Sequence, residues 1–394
     1  MNRIVLVTVF VLSLLCNLSF AQITPQNDTL FHMQKDLFDK LNVLEAWKIT
    51  KGNPDILIGC IDNGFDFFHP YLYDHLIPGY FADSAYHPMT FQTISHGTLV
   101  SSIMVANPKN ENGMHGLSPE CKVLTASTGS IEHFLLRRRK DIMKENPDMS
   151  PTDIMNEIVR KDPIAVQQFG IHWIDFVGTS IAKSINYLAQ NRVKVINISS
   201  DIVSTVFPET NQKRIDKALE YARTNNVLVI ISAGNNNKKI PKILKNNDNI
   251  IMVGASTMND TRWTVTVGAI TQGSNWGVQL DVCAPIEGLV VCQPSDNRFY
   301  KSDDGPMGAE KIPFNGNICD VMPYGATSGA APIVTALAAL VFSIAPDMTA
   351  SDVKKVILQG CDDIWDDGID IYTGHGRINF GKTISLVTAQ KSIE

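Results

Sequence analysis

Short apolar runs rich in β-branched residues alternate along the chain with segments whose apolar positions recur at helical spacing. The runs predict strands at 56–62, 122–127, 194–199, 227–235, 250–256 and 280–285. The segments between them predict helices near 97–106, 179–190, 212–224 and 328–344. Continuously apolar strands separated by helices are typical of a sheet that is buried on both faces. We therefore predict an α/β fold with a mostly parallel sheet and helices on both of its faces.

The first residues follow a different pattern, that of a secretory signal peptide. Arg3 precedes the apolar run 4–15, and a small residue, Ala21, ends the segment. The apolar run is too short to span a bilayer, which needs about 20 residues. We predict a signal peptide at 1–21, export to the periplasm or the extracellular space, and no stable membrane span. Bulky Leu15 argues against lipoprotein anchoring at Cys16.

A charged stretch interrupts the alternation of strands and helices within the rest of the chain. We predict a short N-terminal segment at 22–45 and one domain at 46–390, with a helical insertion at about 130–172. Ser150 followed by Pro151 is typical of a helix start inside this insertion. The insertion is either a decoration of the fold or a lid or partner surface.

The charge balance argues against one class of partner. The chain has 394 residues, with 34 Lys and Arg against 40 Asp and Glu, which gives a formal net charge of −6. Such a surface does not attract the phosphate backbone, so we expect no nucleic-acid partner. The hydrophobic content of 44% is that of a globular protein, which we expect to be a monomer.

The cysteines permit disulfides but no obvious metal site. Beyond the predicted signal peptide they lie at 60, 121, 283, 292, 319 and 361. Cys60 and Cys283 fall inside apolar strands, where a thiol is usually a small buried apolar group. We expect at most one or two disulfides, with Cys292–Cys319 as a candidate pair. The spacing fits no metal-ligand motif, so we expect no required metal or other cofactor.

Four polar residues stand where predicted elements end or begin. Asp62 ends the first strand, Asn235 follows the strand that begins at 227, and His96 opens a helix. Ser328 lies among Gly and Ala residues, with Pro332 in the expected first turn of its helix. In parallel sheets such groups gather at the carboxyl edge of the strands. A carboxylate, an imidazole, an amide donor and a hydroxyl are the groups that nucleophilic acyl transfer requires.

The motifs around these residues resemble those of subtilisin-like serine proteases, the subtilases. The resembling motifs are IDNGFDFFHP (61–70), SHGTLVSSIM (95–104), VINIS (195–199), ISAGN (231–235), ATSGAAP (326–332) and YTGHGRINFGKTISL (372–386). The chain order of Asp, His and Ser is also that of the family. The resemblance extends from about residue 44 to residue 388 and implies the three-layer subtilisin-like fold.

The resemblance also implies an activity and a set of site residues. It implies a secreted endopeptidase that hydrolyses peptide bonds in protein or peptide substrates through an acyl-enzyme intermediate. The implied roles are catalytic acid for Asp62, general base for His96, nucleophile for Ser328 and oxyanion donor for Asn235, with Ser199, Ser200, Ala233 and Gly234 lining the substrate cleft. The alternative is a catalytically inactive subtilase fold that acts as a binding module.

Three features depart from the family pattern or compete with it. Ala326 stands where the family has glycine before the Thr-Ser pair, whereas GTSIAKS (178–184) has that glycine. Ser180 precedes both cleft strands, however, so we interpret its segment as a packed helix and Ser328 as the nucleophile. Asp201 would favour basic substrate side chains if it lined the specificity pocket. The acidic loop 361–370 either holds the calcium common in the family or carries solvated carboxylates.

Overall fold

A computed structural model of the protein shows the predicted arrangement of strands and helices. It describes residues 30–82, 96–108, 113–128, 163–200, 207–241, 248–267, 270–292, 310–314 and 317–391, with the single positions 146, 157, 160 and 202. The predicted signal peptide, Cys16, Asp201 and most of the expected insertion at 130–172 lie outside the described residues.

A central parallel sheet organises the molecule. Its strands are β1 (Leu57–Asp62), β2 (Leu76–Phe81), β3 (Lys122–Ser127), β4 (Val195–Ile198), β5 (Leu228–Ser232), β6 (Ile250–Ser256) and β9 (Val282–Pro285). The strand order is β2-β3-β1-β4-β5-β6-β9, and every neighbouring pair is parallel. This confirms the predicted fold class. It also brings the carboxyl ends of β1, β4 and β5 next to one another.

Helices cover both faces of this sheet. They are α1 (Leu30–Lys40), α2 (Val43–Trp47), α3 (His96–Val105), α4 (Pro163–Gln190), α5 (Glu209–Thr224), α6 (Ala326–Ile344), α7 (Ala350–Gln359) and α8 (Phe380–Lys391). In β5, Leu228 and Ile230 pack into the core that α3 and α6 share, whereas Val229 and Ile231 pack into the core of α4 and α5. Side chains alternate along a strand, so an apolar run buries both faces.

Helix α6 is deeply buried, with every residue from Gly329 to Phe342 inside the fold. It is also the one described helix that is long and apolar enough to cross a membrane, but 83% of that stretch is buried inside the fold. Its small residues, Ala330, Ala331, Ala338 and Ala339 among them, are fully buried. Because small side chains permit close approach, α6 packs against β4, β5, β6 and β9 at once. The helix that carries Ser328 is therefore a core element.

Two further β structures were absent from the prediction. A hairpin pairs β7 (Thr264–Val267) with β8 (Ile270–Gly273), and an antiparallel sheet has the order β10-β12-β11. Its strands are β10 (Glu287–Cys292), β11 (Glu310–Phe314) and β12 (Asn317–Tyr324). The register places Cys292 opposite Cys319, and Cys292 Sγ lies 3.5 Å from Met114 Sδ. The disulfide stays a prediction, whereas Cys60 and Cys283 are buried, as predicted.

Helix α4 begins earlier than predicted. We placed its start near residue 179, but the helix runs from Pro163 to Gln190. Proline at the first helical position loses no hydrogen bond, because that N–H has no partner inside the helix. The last part of the expected insertion therefore belongs to the helix that also contains Ser180.

The two ends of the described chain meet through a set of ion pairs centred on Asp260. Lys40 Nζ at the end of α1 lies 2.7 Å from Asp260 Oδ2, and Arg377 binds both Asp260 and Asp362. Burial alone would raise the pKa of Asp260, but hydrogen bonds from Arg377 and Lys40 lower it overall. Close by, the N–H of Phe380 donates to the carbonyl oxygen of Leu41 at 2.8 Å. The segment at 30–47 is thus an integral part of the fold.

Candidate active site

Asp62 is held at the carboxyl end of β1, between β3 and β4. Asp62 is only 1% exposed, and its Oδ1 accepts a hydrogen bond from the N–H of Asn63 at 2.7 Å. The Asp62 carbonyl accepts from the N–H of Thr128 at 2.8 Å. A buried carboxylate needs charged or hydrogen-bonding partners, because burial without them is costly.

His96, the first residue of α3, supplies such a partner. Its Nδ1 lies 2.9 Å from Asp62 Oδ2 and 3.0 Å from Oδ1. Asn63 joins the pair, since its side-chain oxygen accepts from the backbone N–H of His96 at 3.1 Å. The His96 side chain is 35% exposed while that of Asp62 is 2% exposed. The imidazole is therefore anchored through Nδ1 and stays about one third exposed to solvent.

A glycine allows this approach of α3 to the end of β1. A Cβ atom on Gly97 would lie 2.4 Å from the carbonyl oxygen of Gly64, and 2.6 Å from Phe65 Cε1. Any side chain would push α3 away from the loop that follows Asp62. The glycine beside His96 thus has a packing reason, which the sequence motif alone does not reveal.

Ser328 lies in the first turn of α6 and forms two hydrogen bonds with Ser199, which follows β4. Ser328 Oγ donates to the Ser199 carbonyl oxygen at 3.0 Å, and Ser199 Oγ donates to the Ser328 carbonyl oxygen at 3.0 Å. A hydroxyl has one proton to donate, so in this arrangement the Ser328 proton points at Ser199. The pair holds the serine against the end of the central sheet.

Pro332 explains why the Ser328 carbonyl accepts a side-chain hydrogen bond. We expected this proline in the first turn, but α6 begins at Ala326, so Pro332 lies inside the helix. Proline has no N–H, so the carbonyl four residues earlier loses its helical partner. That carbonyl belongs to Ser328, and Ser199 Oγ supplies the missing hydrogen bond.

A buried polar chain behind Ser199 escaped the sequence analysis. Asn197 Nδ2 donates to Ser199 Oγ at 2.9 Å, and Thr335 Oγ1 donates to Asn197 Oδ1 at 3.0 Å. Both Asn197 and Thr335 are fully buried. This series of hydrogen bonds fixes the Ser199 hydroxyl. Ser199 then holds the first turn of α6, which carries Ser328. The available signal was an asparagine inside the apolar strand VINI, since a buried amide requires partners.

Asn235, which follows β5, has its amide orientation fixed by Thr327. Asn235 Oδ1 accepts from the Thr327 N–H at 3.0 Å and from Thr327 Oγ1 at 2.7 Å. Thr327 Oγ1 in turn accepts from the N–H of Gly234 at 3.2 Å. With its oxygen engaged twice, the amide turns its two N–H donors away from Thr327. Thr327, next to Ser328, is a second residue that the sequence analysis missed.

The predicted cleft residues differ in what they can offer a substrate. Ser199 is buried and Ser200 is half-buried, whereas Ala233 is fully buried in the core of α4 and α5. The carbonyls of Ala233 and Gly234 accept from Asn275 at 2.9 and 2.8 Å. Their N–H groups are also bonded within the protein. A cleft role for Ala233 and Gly234 stays a prediction, and it rests on shape rather than on free hydrogen-bonding groups.

Ala326 adopts the backbone conformation that glycine prefers. Its φ is +51°, in the left-handed region, where an L-residue with a Cβ is strained by about 1–2 kcal/mol. We noted the missing glycine in the sequence, and its conformational cost is visible only in the structure. The residue stands two positions before Ser328, so the strain lies at the start of the helix that carries the hydroxyl.

The acidic loop 361–370 already uses several of its carboxylates within the protein. Asp363 Oδ2 accepts from the Gly368 N–H at 2.7 Å, and Asp370 Oδ1 accepts from the N–H groups of Tyr372 and Thr373. Among the described residues, no group of three or more His, Cys, Asp or Glu side chains is placed to hold a metal ion. Structural calcium in this loop stays a prediction.

The parallel sheet, with these side chains at its carboxyl edge, has the architecture of a subtilisin-like α/β protein. A profile of the subtilase family (Peptidase S8) matches residues 53–376. The chain therefore belongs to the subtilase family.

Curated relatives agree with this assignment. The chain is 26% identical over 335 residues to the thermophilic serine proteinase of Bacillus sp. (strain AK1), a match that covers 85% of this chain and 63% of that protein. It is 23% identical over 359 residues to thermitase of Thermoactinomyces vulgaris, covering 91% of this chain and 98% of that protein. Its match to the Bacillus proteinase thus spans less than two thirds of that protein's length.

Solved structures share the fold. One is the crystal structure of MycP1 from Mycobacterium smegmatis, with a TM-score of 0.60 and 21% identity, covering 94% of this chain and 86% of that chain. At this identity the likeness establishes the fold alone.

Proposed function

We propose that the protein is an exported serine endopeptidase that cleaves protein or peptide substrates through Asp62, His96 and Ser328. The observation that carries the proposal is the hydrogen bond between His96 Nδ1 and the buried carboxylate of Asp62, at 2.9 Å. Because this bond engages Nδ1, the scheme assigns proton exchange to Nε2. The predicted signal peptide at 1–21 supports export.

The first half of the reaction begins when the Ser328 hydroxyl turns from Ser199 toward His96. Ser328 Oγ attacks the carbonyl carbon of the scissile bond, and His96 Nε2 takes the hydroxyl proton. Asp62 stabilises the imidazolium that results. The Asn235 amide and the backbone N–H of Ser328 donate to the oxyanion. The C–N bond then breaks, the leaving amine takes the proton from His96, and an acyl-enzyme remains.

The second half reverses these roles with water. His96 takes a proton from a water molecule, whose oxygen attacks the acyl carbon. The bond to Ser328 Oγ breaks, and His96 returns the proton to the serine. The Ser328 hydroxyl can then donate its hydrogen bond to Ser199 again. In this scheme Ser199 holds the hydroxyl between turnovers rather than taking part in bond breaking.

The test compares the mature protein with its Ser328→Ala variant on casein and on a mixed peptide library. We expect the variant to lose at least about 10⁴-fold in rate, because the nucleophile is gone. A fluorophosphonate probe should label the folded wild type on the tryptic peptide that contains Ser328, not on the one that contains Ser180. Folded wild-type protein without label or cleavage would instead support the binding-module alternative.

A further inference from the structure

A group of cationic side chains follows the oxyanion residue Asn235. Lys238 and Lys239 are exposed on the segment that continues from it. Arg262, from the turn after β6, reaches the same segment, and its Nη1 donates to Asn237 Oδ1 at 2.8 Å. We call Lys238, Lys239 and Arg262 the basic cluster. It stands out on a chain whose formal net charge is −6.

The segment that carries the basic cluster is fixed relative to the Asn235 amide. The N–H of Gly273 donates to the Asn235 carbonyl at 3.1 Å, and the N–H of Asn237 donates back to the Gly273 carbonyl at 2.9 Å. Further along, the N–H of Trp276 donates to the Lys238 carbonyl at 3.1 Å. These bonds continue the hairpin β7–β8 into the active site. The cluster therefore keeps a constant distance from the oxyanion position.

Among the residues that the structure describes, Arg262 has no carboxylate partner. Its Nη1 also donates to the Ser274 carbonyl at 2.7 Å, and its guanidinium carbon lies 5.5 Å from the centre of the Tyr372 ring. Within the described part of the chain, none of the three cations of the basic cluster forms an ion pair. Burial lowers the pKa of Arg262, and the charge that opposes this effect is that of Tyr372.

Arg377 shows what a partnered arginine looks like in the same protein. It lies between Asp260 and Asp362, and although burial acts against it, these carboxylates raise its pKa overall. Arg262 has the burial without the carboxylates. Among the described residues Arg262 donates only through Nη1, to neutral acceptors, which leaves the edge formed by Nε and Nη2 for another group. That edge matches the two oxygens of a carboxylate.

We propose that the basic cluster binds an Asp or Glu side chain of the substrate close to the scissile bond. The inference rests on the proposed protease function, since the Asn235 amide marks the position of the scissile carbonyl. Asn237, which holds Arg262, is two residues from Asn235, and a chain spans roughly 3.3 Å per residue, so the two backbones lie within about 7 Å of each other. A substrate side chain one or two residues from the scissile bond reaches this distance.

The experiment measures kcat/KM on matched peptide pairs that differ only by Glu or Gln. The pairs place the difference at each of the three positions on either side of one scissile bond. We expect the wild type to favour Glu by about 10-fold at one position, as for a charge-assisted hydrogen bond. The Arg262→Gln variant should bring this ratio close to one, and Arg262→Lys should restore part of it. Lys217→Gln, an exposed lysine on α5, is the control and should keep the wild-type ratio.

A double variant guards against a folding defect of Arg262→Gln. Lys238→Gln with Lys239→Gln changes two exposed side chains, and it should lower the Glu/Gln ratio and its dependence on salt. Two results would overturn the proposal: a wild-type ratio near one at every position, or an unchanged ratio in both the double variant and Arg262→Gln. Either result leaves cleavage and labelling of Ser328 intact, so it is distinct from a failure of the proposed function, in which no peptide is cleaved.

Discussion

Ser180 and Ser328 each follow a threonine among small residues, yet they lie in opposite settings. Ser180 is inside α4 and 3% exposed, and its Oγ donates to the carbonyl of Phe176, four residues earlier in the same helix, at 2.8 Å. Ser328 is half-buried in the first turn of α6. Its Oγ donates a hydrogen bond to the carbonyl oxygen of Ser199, outside its own helix. The position of the serine along its helix, rather than the residues next to it in the sequence, decides which hydroxyl a substrate can reach.

The two motifs also differ two residues before the serine, where one has Gly178 and the other has Ala326. A Cβ on Gly178 would lie 2.9 Å from both Asn211 Nδ2 and Phe207 Cδ1, so this glycine lets α4 approach α5. Ala326, in the corresponding place before Ser328, adopts a φ of +51°. The packed motif therefore has the glycine for space, while the candidate nucleophile motif lacks the glycine that its backbone conformation favours.

The largest effect is expected where the surroundings of Ser328 are damaged and the serine is kept. Asn235→Ala removes the amide that Thr327 orients, and we expect kcat to fall by about 10²–10³-fold with little change in KM. Steady-state kinetics on one fluorogenic peptide measures this. Fluorophosphonate labelling at Ser328 should persist, only more slowly. A rate equal to that of wild type would show that Asn235 is not the oxyanion donor.

A smaller effect is expected from two separate substitutions, Ala326→Gly and Gly178→Ala. Ala326→Gly relieves the left-handed strain and should raise the free energy of unfolding by about 0.5–1 kcal/mol, after allowance for the greater freedom of glycine in the unfolded chain. Gly178→Ala should lower it by about 1 kcal/mol, because overpacking against α5 outweighs the better helix propensity of alanine. Urea denaturation of both variants gives the two signs. Equal signs would contradict the contrast between the motifs.

The smallest effect is expected at Ser180 itself. Ser180→Ala removes a hydroxyl that bonds only the backbone of its own helix, so we expect the free energy of unfolding to change by no more than about 0.5 kcal/mol. Peptide cleavage should stay within experimental error of wild type, with Ser328→Ala as the inactive reference. A large loss of activity in Ser180→Ala would remove the distinction between the two serines.

The sequence was sufficient for every strand of the central sheet except β2, and for the polar residues at its carboxyl edge. The apolar runs identify β1, β4 and β5, and Asp62 and Asn235 stand out because polar residues end apolar strands. It was not sufficient for Asn197 and Thr335, whose hydrogen bond joins positions 138 residues apart. No local pattern contains such a contact. The start of α4 at Pro163 was missed for a different reason. Residues 163–178 contain two glycines, which disfavour a helix, and their apolar residues are spread too widely to show helical spacing.

The ion pairs at Asp260 have a consequence for the order in which the protein can be completed. Asp260 binds Lys40, which is 220 residues earlier, and Arg377, which is 117 residues later. Contacts of such sequence separation form late, because the intervening chain must first be synthesised and ordered. The set of ion pairs at Asp260 can therefore be complete only after translation has passed Arg377, which lies beyond Ser328. A nascent chain can expose the serine motif while the fold that supports it is still open, which links competence for hydrolysis to the final stage of folding.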